Sequence, residues 1–62
     1  MLAVKFFYIQ SNNCAGIGYY MPSREFFENT YIPEHFPDAK YLGDGKYQID
    51  KSRYIQCVEV SQ

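Results

Sequence analysis

Apolar residues run almost without interruption over residues 2–10, with Leu2, Val4, Phe6 and Tyr8 on one side of an extended chain and Ala3, Lys5, Phe7 and Ile9 on the other. Aromatic and aliphatic side chains dominate, and Ser11, Asn12 and Asn13 bound the run, so it predicts a strand. Both sides are largely apolar. The strand is therefore expected to be central, one face on the core and the other covered by chain or by a partner. Residues 11–16 read as a hairpin loop, and residues 17–21 return as a second strand beside Gly16 and Gly18, closed by Pro22.

The period then changes. Ser23 sits where an N-cap belongs, and Glu25 lies near the positive end of a helix dipole. Phe26, Phe27, Thr30 and Tyr31 form one face, and Glu25, Glu28 and Asn29 the other, which predicts a short amphipathic helix. Pro33 disfavours helical geometry at Ile32, so the helix is expected to end by Tyr31. Pro33 and Pro37 then predict a loop over residues 32–39, with one 3₁₀ turn from Glu34 to Phe36.

Residues 40–50 read as a tight hairpin about Asp44-Gly45, a dipeptide suited to the positive φ angles of a type I′ turn. That register pairs Leu42 with Tyr47 and Lys40 with Ile49. Residues 54–60 form the last strand, with Tyr54, Gln56, Val58 and Val60 opposite Ile55, Cys57 and Glu59. Each side carries one polar residue, so alternation leaves its inward face unassigned. The order β-β-α-β-β predicts an α+β fold, an antiparallel four-stranded sheet with one short helix over one face.

At 62 residues the chain is expected to be one domain and a complete small product. A domain of this size buries only about 60% of its unfolded surface, so self-association into a structural homodimer is one expectation. Seven Tyr and five Phe with no Trp are more rings than so small a core hides. Tyr tolerates half-exposure, because its ring packs while its hydroxyl meets water.

Seven acidic against six basic side chains give a net charge of −1, which offers no overall attraction to phosphate polymers or anionic membranes. The charges segregate along the chain: Glu25, Glu28, Glu34 and Asp38 precede Lys40, Lys46, Lys51 and Arg53. The first apolar run is interrupted by Lys5 and is far shorter than the ~20 residues of a membrane span. It also lacks the pattern of a signal peptide. Cys14 and Cys57 match neither a CxxC motif nor a zinc-ligand spacing. These features predict a cytoplasmic protein with reduced thiols, Cys14 exposed in a loop and Cys57 packed in a strand.

Little in the chain points to chemistry. His35 is the lone imidazole, and no orienting third group supports a Cys14–His35 nucleophilic pair. Metal and cofactor binding lack convergent ligands, and no catalytic residue is assigned. The leading expectation is a non-enzymatic protein-binding module, an inhibitor or adaptor of the kind that phages and mobile elements encode. Its proposed contact residues are Phe27, Glu28, Tyr31, Glu34, His35 and Phe36, an acidic, aromatic patch suited to a basic protein surface. The alternative is a single-stranded nucleic-acid binder that uses Tyr41, Lys46, Lys51 and Arg53, basic groups interleaved with stacking platforms.

Overall fold

A computed structural model describes residues 1–61. It contains strands β1 (Leu2–Tyr8), β2 (Cys14–Met21), β3 (Lys40–Gly43), β4 (Lys46–Gln48) and β5 (Arg53–Glu59). Between β2 and β3 runs one helical segment: α1 (Arg24–Phe26), a π-helical turn (Phe27–Tyr31) and α2 (Ile32–His35). The strands form a five-stranded antiparallel sheet in the order β2-β1-β5-β4-β3. The α+β class agrees with the sequence, whereas the four-stranded count does not: both arms of the 40–50 hairpin join the sheet alongside β5. β1 has a hydrogen-bonded neighbour on each side, the central position expected of it.

Tyr8 and Asn13 close the first hairpin, with Asn12 at a positive φ of 59°. β2 begins at Cys14, earlier than expected, because it pairs with β1 through two bulges. At one bulge Gly18 comes so close to β1 that a Cβ would lie 3.0 Å from the Phe6 ring. Only glycine fits there without displacing the ring.

The helix starts as its cap predicts: the Phe26 N–H donates to Ser23 Oγ at 3.0 Å. It does not stop at Tyr31, and residues 34–35 are α-helical where a 3₁₀ turn was expected. Pro33 lacks an N–H, and its ring would press on the carbonyl four residues back. The preceding turn widens to the π spacing, in which the Ile32 N–H donates to the Phe27 carbonyl, so the proline is carried within the helix. Burial of Ile32 offsets the unfavourable helical geometry before a proline.

Asp44 and Gly45 have φ of 54° and 76°, the signs that a type I′ turn requires. The hairpin register differs from the expected one by a residue on one arm. Tyr41 faces Tyr47 and Lys40 faces Gln48, because the ladder is shifted at Leu42 and Gly43 takes a φ of 94°. The shift places the Tyr41 and Tyr47 rings 5.1 Å apart and lets the Gly45 N–H donate to Tyr41 Oη.

The core lies between the helical segment and one face of the sheet. Val4, Met21, Phe27, Tyr31, Ile32, Ile55 and Cys57 form it, flanked by Leu2, Phe6, Phe36, Ala39, Tyr47 and Ile49. Phe27 is its centre, stacked on Tyr31 at 5.9 Å and edge-on to Tyr47 at 5.7 Å. The inward side of β5 is thereby decided: Ile55 and Cys57 face the helix, and Tyr54, Gln56 and Val58 face away. No helix among the described residues is long and apolar enough to cross a membrane.

Candidate functional site

The helical segment covers one face of the sheet; no helix or strand lies over the other, although Ala3 and Tyr54 on it are 0% and 5% exposed. Strand alternation builds that second face from rows of directly opposed residues. One row runs Ile17, Lys5, Gln56, Lys46, and the next runs Cys14, Phe7, Tyr54, Gln48, Lys40. Tyr20, Ala3 and Val58 lie beyond the first row.

The centre of this face is ordered by ring contacts. Phe7 and Tyr54 stack at 5.0 Å with 16° between their planes. Lys5 Nζ lies 5.7 Å from the Phe7 centroid, and Lys46 Nζ lies 5.3 Å from that of Tyr54. Each ammonium is thus held against a ring by its quadrupole. Tyr54 donates its hydroxyl hydrogen to Asn12 Oδ1 at 3.2 Å, and Gln56 Nε2 donates to the Asp44 carbonyl at 2.8 Å. The largest exposed apolar side chains here are Ile17 and Tyr20, at 61% and 63% exposure, both on the edge strand β2.

Charge is divided by the sheet. Lys5, Lys40 and Lys46 stand in the rows of the uncovered face, and no carboxylate stands in those rows. Glu25, Glu28 and Glu34 are on the helical segment, and Glu59 opposes Leu2 on the helix-facing side. Asp38, Asp44 and Asp50 lie in connections. Asp50 accepts backbone N–H groups of Ser52 and Arg53 at 2.9 and 2.8 Å and two bonds from the Arg53 guanidinium. The Ser52 N–H and then the guanidinium hold its carboxyl at about 2.

The acidic, aromatic patch of the sequence reading changes character. Phe27 and Tyr31 are 1% and 7% exposed, so their rings belong to the core and are not presented as anchors. Burial, then the nearby Tyr19 hydroxyl, raises the Tyr31 phenol. Phe36 is half-buried against the same core, while Glu28, Glu34 and His35 are exposed. His35 lies against Tyr31, ring to ring at 4.6 Å.

The four residues of the nucleic-acid reading do not converge. Lys46 lies on the uncovered face, Tyr41 and Arg53 on the helix-facing side, and Lys51 in the turn before β5. Arg53 is engaged by Asp50 and also sits 5.8 Å from the Phe6 centroid. The rows that do converge include Lys5, Phe7, Ile17 and Tyr20, which the sequence reading did not select. The signal for Lys5 and Phe7 was the second apolar side of β1, whereas Ile17 and Tyr20 join them only through the bulged pairing of β2.

An open cleft of about 650 Å³ between the β1–β2 and β4–β5 connections is lined by Tyr8, Ile9, Gln10, Ser11, Lys51 and Ser52, a set without an acid–base pair. Among the described residues, no group of three or more His, Cys, Asp or Glu is placed to hold a metal ion. Cys14 and His35 lie on opposite sides of the sheet and do not form a pair. Comparison of the chain with protein-family models, curated proteins and solved structures found no match.

Proposed function

We propose that this protein is a non-enzymatic binding module that occupies the surface of another protein through the uncovered face of its sheet. One observation carries the reading: this face places exposed Ile17 and Tyr20 beside a lysine-flanked Phe7–Tyr54 stack, of which Tyr54 is itself buried. Exposed apolar groups around such a cluster, rimmed by polar side chains, match the composition of protein contact surfaces.

Contact by side chains fits better than addition of a strand to the β2 edge. The two bulges interrupt that edge and break the even spacing of its outward N–H and C=O groups. A base-stacking role is disfavoured, because the inner faces of Phe7 and Tyr54 meet each other and ammoniums approach both rings.

Site-specific photo-crosslinking tests the reading. A benzophenone amino acid replacing Tyr20 is expected to give a discrete protein adduct in cells, lost when Ile17→Asp is added. The same group replacing Glu25 is expected to give none. Adducts from position 25 alone, or adducts to nucleic acid, overturn the proposal.

A further inference from the structure

The protein-binding reading leaves the chemistry of the partner open, and the inference here rests on that reading. We infer that the uncovered face takes an acidic polypeptide segment, with carboxylates reaching Lys5 and Lys46 on either side of Gln56 and apolar side chains packing on Ile17 and Tyr20.

The geometry is set by the sheet. Lys5 and Lys46 both oppose Gln56, from β1 and β4, so their backbones stand two strand spacings apart, roughly 10 Å. Among the described residues neither lysine makes an ion pair, although carboxylates outnumber basic groups in the chain. Their ammoniums are instead steered over Phe7 and Tyr54, where they remain available to an anion approaching from outside. Lys40 extends the positive field along the neighbouring row. No carboxylate stands in these rows, although Asp44 adjoins them through its carbonyl bond to Gln56, so an acidic segment meets lysines here and Glu25, Glu28 and Glu34 on the helical side.

A polypeptide fits this surface better than a nucleic-acid strand. Three lysines neutralise few phosphates, and the net charge of −1 gives a polyanion no long-range attraction. Ile17 offers an aliphatic contact that an apolar side chain matches and a base does not.

Selection from a random 12-residue peptide display library, run beside a random single-stranded oligonucleotide pool, tests the inference on the intact protein. Enriched peptides are expected to alternate Asp or Glu with apolar residues and to shift the backbone amide resonances of residues 5, 46 and 56. Their binding should weaken roughly tenfold in the Lys5→Gln, Lys46→Gln double variant, the loss of two modest ion pairs, and should return in Lys5→Arg, Lys46→Arg. Thermal unfolding of both double variants separates loss of contact from loss of fold. Enrichment of neutral or basic peptides, or resonance shifts confined to the helical segment, overturns the acidic partner while leaving the protein-binding reading intact. Enrichment of oligonucleotides without peptides overturns both, and enrichment of nothing above an empty-support control overturns the inference.

Discussion

Phe7 and Tyr54 face each other directly across the β1–β5 ladder, and their rings stack at 5.0 Å on the side of the sheet that the helix does not cover. The pair joins the two ends of the chain and organises the surface on which both proposals rest. A double-mutant cycle with Phe7→Leu and Tyr54→Leu should give a coupling of about 0.5–1.5 kcal/mol beyond the separate losses. Urea unfolding of the four proteins measures it, and additive losses would show that the stack contributes no specific energy.

The core and the helix exterior should separate cleanly. Phe27→Ala removes the most enclosed ring of the core and should cost about 3–5 kcal/mol, a large share of the stability of so small a domain. Glu34→Lys, on the exposed surface of α2, should stay within about 0.5 kcal/mol. Thermal melts followed by circular dichroism compare the two.

Gly18→Ala should destabilise the protein by about 1–3 kcal/mol, since the new methyl group meets the Phe6 ring at 3.0 Å and the bulge leaves it little room. The reduced cost expected of Gly18→Ala with Phe6→Leu checks this origin. A neutral single variant would mean that β2 shifts freely along its edge.

Asp50 sets an acid limb. Its carboxyl titrates near 3.8 in the unfolded chain and about 2 in the folded one, so the folded state favours the ionised form. The stabilisation is therefore complete above the unfolded value and is lost progressively as pH falls from about 4 to about 2. Urea midpoints across this window should fall more steeply in the parent protein than in Asp50→Asn. Parallel slopes would show that the Ser52 and Arg53 bonds do not favour the carboxylate in solution.

The two thiols should differ in reactivity. Cys14 is exposed, whereas Cys57 is buried and burial raises its thiol above the ordinary value, which disfavours the thiolate that reacts. Maleimide at neutral pH should label Cys14 within minutes and Cys57 only on unfolding, as peptide mass mapping reads out.

Much of the local structure was legible in the residues themselves. Ser23 announces a helix start because its hydroxyl has an orphan N–H within reach, and Asp44-Gly45 announces a turn because these residues tolerate positive φ. The residues along β1 mark a strand with two apolar sides, and one of those sides belongs to the face proposed as the binding surface. Phe27 and Tyr31, expected as anchors, are buried for a definite reason. Phe27 and Tyr31 share a helix with acidic residues, but only the packing of that helix determines which of its rings the sheet covers.

What the sequence determined by itself depends on interactions within a few residues: caps, turn signs and the period of apolar positions. Other features needed the assembled sheet. Pro33 passes inside the helix because burial of Ile32 and the widened turn make that arrangement favourable. The inward side of β5 follows from Ile55 and Cys57 meeting the helix, and the hairpin register from the Tyr41–Tyr47 contact. Above all, Lys5, Gln56 and Lys46 share one row only because β5 lies between β1 and β4. Strand order is a choice among distant pairings of similar local chemistry. It is decided by which arrangement buries the most apolar surface together, a property of the whole chain that no short window of residues contains.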